Sequence, residues 1–226
     1  MVDIYCDGAA LKDMREYAKN PRIRGFTTNP SLMKKAGIAN YREFAKQVLE
    51  CVEGKPVSFE VLADDFKKME DQALEIASWG KNVWVKIPIT NSKGRTSLAL
   101  IQKLGNVQIN CTAVMTWDQC VYALDMLKEN DILSVFVGRI TDTGISPAQA
   151  LAPALGYHKF TSVKPKILWA SAREVYNYYQ AIEYGVDIIT LTPDLIAKLK
   201  LHGKDLEEYS LETVRQFNED GKGITF

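Results

Sequence analysis

The sequence predicts an α/β fold: a single (β/α)8 TIM barrel over residues 1–226, with residues 206–226 added as a C-terminal helical arm. Three observations predict it. Short apolar runs alternate along the chain with longer amphipathic stretches, the pattern of a parallel sheet covered by helices. Eight such strand-like runs can be counted, enough to close a barrel. The length of 226 residues suits one barrel domain of roughly 200–250. An open sheet binding a dinucleotide would need a glycine-rich turn after its first strand. That turn reads Asp7-Gly8-Ala9-Ala10, with no GxGxxG.

In chain order, Val2–Asp7 reads as the first strand, and Leu11–Asn20 as a helix that stops before Pro21. Ile23–Phe26 is a second short strand running into Thr27-Thr28-Asn29-Pro30. Ser31–Lys35 and Tyr41–Glu53 read as helices, and Pro56–Val61 as the third strand. Asp64–Trp79 is a long amphipathic helix, with Asp64 as its expected cap and Gly80 as its stop. Asn82–Ile87 is the fourth strand, Ser97–Leu104 a helix, Val107–Cys111 the fifth strand and Trp117–Lys128 a helix. Ile132–Val137 is the sixth strand, Pro147–Gly156 a helix, Lys166–Ala170 the seventh strand, Ala172–Tyr184 a helix and Val186–Leu191 the eighth strand. Pro193 opens a last turn, and Leu211–Asn218 is helical within the arm.

Apolar residues make up 46% and charged residues 25%, a globular balance. A formal net charge of zero leaves no basic excess to neutralise a nucleic-acid backbone, so anions should be held by a few placed groups. Cys6, Cys51, Cys111 and Cys120 are scattered, and His158 and His202 are too isolated to build a metal site with them. Free buried thiols in a reducing cytoplasm are expected, with no metal and no cofactor. No signal-like segment opens the chain, and no apolar run approaches the 18 or so residues of a membrane span.

Barrel active sites lie at the C-terminal ends of the strands. There the chain places Asp7, then Thr27, Thr28 and Asn29, then Glu60, Lys86, Asn110 and Thr112, and finally Ser134, Phe136, Arg139, Ser171 and Arg173 with Thr190 and Thr192. Lys86 is the unusual residue. It interrupts Val83-Trp84-Val85-Lys86-Ile87, on the face of Trp84 and opposite Val83, Val85 and Ile87. Enclosing an ammonium is costly, which favours the neutral, nucleophilic amine. The competing reading is an ion pair with Asp7 or Glu60 that serves the fold alone. Asp7 suits either acid/base work or a helix cap, whereas Glu60 inside an apolar strand needs a partner. Asn29, Asn110 and Thr112 can orient substrate hydroxyls or water, or simply close turns. Arg139, Ser171 and Arg173 can hold a phosphate dianion from one rim, or be surface residues at helix starts.

These blocks resemble the transaldolase and fructose-6-phosphate aldolase family, in its short members, along nearly the whole chain. The resemblance is carried by Thr27-Thr28-Asn29-Pro30-Ser31-Leu32, by Val83–Ile89, by Asn110-Cys111-Thr112-Ala113 and by Phe136-Val137-Gly138-Arg139-Ile140. It implies a metal-free aldol mechanism with Lys86 as Schiff-base lysine, Asp7 as acid/base, and Glu60 with Thr112 handling a catalytic water. It also implies Thr27, Asn29, Asn110, Ser134 and Phe136 around the sugar, and a phosphate site of Arg139, Ser171 and Arg173. Members that act as aldolases resemble one another in a glutamine where this chain has Glu60 and a tyrosine where it has Phe136. The resemblance therefore implies a transaldolase-like enzyme of carbohydrate metabolism, of the pentose phosphate kind. Such an enzyme moves a dihydroxyacetone unit between phosphorylated sugars. Cleavage to free dihydroxyacetone, or a barrel that binds sugar phosphate without turnover, are the alternatives. Short members tend to form rings of five or ten, so a homo-pentamer or decamer joined through the arm is expected, against an arm folded on its own barrel.

Overall fold

The structure, a computed structural model, describes residues 2–225. Among them eight strands close into one parallel barrel in sequence order: β1 (Asp3–Asp7), β2 (Ile23–Thr27), β3 (Val57–Glu60), β4 (Val83–Pro88), β5 (Ile109–Val114), β6 (Ile132–Val135), β7 (Lys166–Trp169) and β8 (Ile188–Leu191). The helices between them are α1 (Leu11–Ala18), α2 (Pro30–Lys35), α3 (Tyr41–Cys51), α4 (Phe66–Ala77), α5 (Leu98–Lys103), α6 (Trp117–Met126), α7 (Val137–Thr141), α8 (Pro147–His158) and α9 (Tyr176–Tyr184). After β8 come α10 (Pro193–Lys198), a 3-10 turn at Leu199–Leu201 and α11 (Leu206–Asp220). The (β/α)8 barrel expected from the sequence is present.

The strands read as almost unbroken apolar runs because both their faces are enclosed. Outward residues such as Val85, Ile87, Ile109, Leu133 and Ile189 are fully buried beneath the helices. Inward residues form a floor of Tyr5, Ile132, Leu168, Ala170 and Ile188, with Trp84 and Phe136 packed against it. Gly25 makes room for that floor, since a Cβ there would stand 2.5 Å from the Tyr5 ring. Above the floor the inward positions turn polar. Parallel register pairs Glu60 with Lys86, Lys86 with Asn110, and Asp7 with Thr27, so residues far apart in sequence meet on one rung.

Several element ends differ from the sequence reading, each for a local reason. Asp64 does not cap α4; Asp65 does, accepting from the Lys68 amide, while Asp64 accepts from the Ser92 amide and hydroxyl. Asp7 caps no helix either, because α1 starts at Leu11 behind Ala10, which makes no side-chain cap bond. β6 stops at Val135, and residues 137–141 form the short helix α7 that carries Arg139. α9 begins at Tyr176, not Ala172, because Asn177 Oδ1 accepts from the Arg173 and Glu174 amides and holds those residues in a turn. α11 starts at Leu206, ahead of Leu211, because Asp205 caps it through the Glu208 amide.

The chain divides into two compact units, Met1–Ile196 and Ala197–Phe226. The second contains α11, none of whose residues is buried, and an ion pair between Lys204 and Glu212. Phe226, the end of the expected arm, lies outside the described residues. All four cysteines are free, and burial pushes the thiols of Cys6, Cys111 and Cys120 well above the ordinary range. No helix among the described residues is long and apolar enough to cross a membrane.

Candidate active site

At the C-terminal mouth of the barrel lies a cavity of about 480 Å³. Its polar wall comes from the ends of every strand but β3 and from the segments just beyond them: Asp7, Thr27, Asn29, Lys86, Thr112, Ser134, Arg139, Ser171 and Thr190. Phe136, Leu168 and Ala170 supply the apolar part. Larger hollows lie on the flank, one between α4 and α5 lined by Phe66, Lys67, Glu70 and Lys103 among others. None of them brings a buried amine together with carboxylates.

Lys86 is only 5% exposed. Its Nζ lies 3.0 Å from Glu60 Oε2 and donates to the Thr28 carbonyl at 3.0 Å. The pairing with Glu60 follows from register, because β3 and β4 place the two residues side by side on inward positions. The end of β3 is anchored by the Tyr41 hydroxyl, which donates to the Glu60 carbonyl at 2.9 Å. Of the two partners left open by the sequence, the structure pairs the amine with Glu60.

Asp7 lines the same cavity, and its Oδ1 accepts from the Thr27 hydroxyl at 2.7 Å. Burial raises its pKa above the ordinary carboxylate value; the Lys86 charge and the Thr27 bond pull it down, and Glu60 adds to the rise. Beneath the wall, the Asn110 amide is fixed at both ends. Its Nδ2 donates to Ser58 Oγ at 3.0 Å, and its Oδ1 accepts from Ser134 Oγ at 2.6 Å. Thr112 Oγ1 is buried without a protein partner, and Thr112 lines the cavity from β5. Such a group is costly unless it meets a ligand or water. Asn29 caps α2 through Oδ1, which accepts from the Leu32 amide, leaving its Nδ2 as the free donor.

The cationic side of the cavity is built by α7, which carries Arg139. Arg139 lies with its guanidinium carbon 5.8 Å from the centre of the Phe136 ring. Gly138 is dictated by packing, since a Cβ there would stand 1.6 Å from the Ser171 carbonyl oxygen. Ser171 itself is held in the left-handed region at φ 64°, and Ala113 beside Thr112 at φ 61°. Strain of this sort, about 1–2 kcal/mol per residue, collects where side chains must be aimed. Arg139 and Ser171 thus face one cavity. Arg173 does not: its guanidinium is half exposed and pairs with Asp142.

Nine of the twelve residues singled out in the sequence line the cavity, and Glu60 and Asn110 bond directly to residues that do. Ser58 was missed. Its signal was its parity with Glu60 on β3, which makes it the one other inward polar position of that strand. Thr28 was placed at a strand end but given no role, and it meets Lys86 through its carbonyl. No side-chain pattern reports that.

A sequence model described as Transaldolase/Fructose-6-phosphate aldolase matches residues 4–226. The chain belongs to that family. A probable transaldolase of Thermoplasma volcanium is 32% identical over 98% of this chain and 99% of its own. A probable transaldolase of Dehalococcoides mccartyi is 30% identical, covering 88% of this chain and 90% of its own. Among solved structures, KGPDC from Streptococcus mutans has a TM-score of 0.56 at 10% identity, covering 85% of this chain and 88% of its own. N-acetylneuraminate lyase from Mycoplasma synoviae also has a TM-score of 0.56, at 8% identity, over 95% of this chain and 79% of its own. These two show a shared barrel. Family membership makes the chain an enzyme of aldolase or transaldolase type, from a family that processes sugar phosphates. The resemblance read from its strand-end motifs holds.

Proposed function

We propose that the protein transfers a dihydroxyacetone unit from a ketose phosphate, such as fructose 6-phosphate or sedoheptulose 7-phosphate, to an aldose phosphate through a Schiff base on Lys86. The observation that carries this reading is a buried Lys86 amine beside Glu60, in a cavity that also holds Asp7 and Thr112.

The chemistry follows from the groups present. Glu60 takes a proton from Lys86, and the free amine adds to the ketose C2 carbonyl. The carbinolamine loses water and becomes an iminium. Asp7 then removes the proton from the C4 hydroxyl as the C3–C4 bond breaks. The bonding pair flows into the iminium, leaving an enamine on Lys86, and an aldose phosphate departs. A second aldose phosphate enters, the enamine carbon attacks its aldehyde, and Asp7 returns its proton to the new hydroxyl. Water held between Glu60 and Thr112 hydrolyses the imine and frees the lysine. Asn29 and the Asn110–Ser134 pair orient sugar hydroxyls, with Thr27 behind Asp7. Arg139 and Ser171 hold the phosphate, and Arg173 joins them on leaving Asp142. Glu60 as a carboxylate and Phe136 as a ring without a hydroxyl favour transfer over release of free dihydroxyacetone.

Assembly into a pentamer or decamer belongs to the same proposal. It is supported by the exposed Leu206, Tyr209, Val214 and Phe217 of α11, and a monomer by light scattering would refute it. Cytoplasmic placement accords with four free thiols.

The test is borohydride reduction in the presence of fructose 6-phosphate, read by intact mass and peptide mapping. A dihydroxyacetone-sized adduct on Lys86, absent from Lys86→Ala, is expected. Folded protein that forms no adduct with any of a panel of ketose phosphates would overturn the reading.

A further inference from the structure

Behind Asp7 stand two threonine hydroxyls in a line. Thr27 Oγ1 lies 2.7 Å from Asp7 Oδ1 and 2.5 Å from Thr190 Oγ1. Thr190 Oγ1 is also 3.5 Å from the Tyr5 carbonyl oxygen. Thr27 and Thr190 are 3% and 5% exposed, so bulk water has little access to compete for them. Each hydroxyl carries a single proton. Two oxygens at 2.5 Å need a proton between them, as does the 2.7 Å contact with the carboxylate. Thr27 supplies its one proton to Asp7, so Thr190 must supply the other to Thr27. The Tyr5 carbonyl is too distant to compete for it. The chain of donors therefore runs one way, from Thr190 to Thr27 to Asp7. A donor that is itself hydrogen-bonded at its oxygen is polarised and donates more strongly.

We propose that Thr190 is a positioning residue which, acting through Thr27, keeps Asp7 available as the carboxylate that takes a proton during aldol cleavage. Burial of Asp7 works the other way, raising its pKa, so the two hydroxyls oppose the main force that would neutralise it. The charged groups facing Asp7 are Lys86 from β4 and Glu60 from β3, and Arg139 of α7 lines the same cavity. Cys6, next along β1, is buried, and Asp13 of α1 lies near it. β2 presents the Thr27 hydroxyl to Asp7, and β8 presents the Thr190 hydroxyl to Thr27. The role as base rests on the proposed transaldolase reading, whereas the donor chain does not.

The experiment is a carboxyl NMR titration of protein labelled with 13C-aspartate, in which the Asp7 signal is identified by its loss in Asp7→Asn. In Thr190→Val the Asp7 midpoint should move up by a few tenths of a pH unit, because the Thr27 bond to the charged form is kept but loses the roughly 10–30% strengthening that Thr190 gives it. Thr190→Ser should restore it. With fructose 6-phosphate, the acid limb of the kcat profile should move up by the same amount in Thr190→Val and return in Thr190→Ser. An unchanged midpoint, or a fall, would overturn the proposal; a fall would mean that the chain runs from Asp7 toward Tyr5. Should Thr190→Val not fold, Thr190→Ala against Thr190→Ser isolates the same hydroxyl. If only Thr190→Ser folds, the residue is structural and the proposal is lost. A shifted midpoint in a protein that turns over no sugar would uphold the donor chain and refute the transaldolase reading.

Discussion

Replacing Lys86 by methionine removes the amine but leaves a chain of similar length, and so isolates the charge. The Lys86 and Glu60 side chains are 7% and 15% exposed, with Nζ and Oε2 3.0 Å apart. At an effective dielectric constant of about 20, their attraction is about 5.5 kcal/mol. Desolvating each ion costs several kcal/mol, so the pair is close to break-even against an apolar pair of the same shape. Removing one partner is not neutral: Glu60 keeps its desolvation penalty and loses the cation. Lys86→Met should therefore cost about 3–5 kcal/mol at pH 7. The double variant Lys86→Met/Glu60→Gln should recover most of the loss, and so be far less destabilised than Lys86→Met and Glu60→Gln added together. Urea unfolding at constant m measures all three. A single variant as stable as the parent, or a double variant as unstable as the sum of its parts, would show that the two groups are not paired in the fold. Both variants should also lose the borohydride adduct.

Asp7→Asn should stabilise the protein at neutral pH while abolishing turnover. A buried carboxyl with a raised folded pKa contributes stability that is full below the unfolded value of 3.8 and is lost as pH rises through the folded pKa. The variant has no such loss, so its advantage should grow with pH in thermal unfolding between about pH 4 and 8; an advantage that shrinks would contradict the burial argument. Gly138→Ala drives a Cβ to within 1.6 Å of the Ser171 carbonyl, so α7 must back away from the end of β7. A loss of about 1–3 kcal/mol is expected by overpacking, together with a higher KM for phosphorylated donors, and a variant normal in both would place the glycine outside the argument. Arg139→Ala should raise KM for a phosphorylated donor roughly 10–100-fold, the worth of a charged hydrogen bond, and leave an unphosphorylated donor nearly untouched. Equal losses with both donors would make the arginine structural.

The barrel and most of its site were legible in one dimension because a closed parallel sheet imposes simple rules. Two covered faces demand apolar strands, so Lys86 between Val85 and Ile87, and Glu60 beside Phe59, stood out as exceptions needing a function or a partner. Active residues gather at strand ends, so a pass over eight such ends found ten residues that line the cavity. The short helix α7 was not legible. Phe136 and Val137 read as the end of the sixth strand, whereas Val137 already opens α7, where Gly138 packs against the Ser171 carbonyl.

Sequence pattern specified which side chains could not be ordinary core. Pairing was settled by register, a relation between strands that no single stretch contains. Register set Lys86 against Glu60, and Asp7 against Thr27. The closed barrel also set Ser58 under Asn110, and Thr27 of β2 against Thr190 of β8, 163 residues later. The same distinction separates the two arginines. Their places beyond the ends of the sixth and seventh strands suggested one phosphate site, yet Arg139 faces the cavity while Arg173 turns to Asp142. A long side chain takes its partner from whatever charge the fold brings within reach, and only the tertiary structure decides which charge that is.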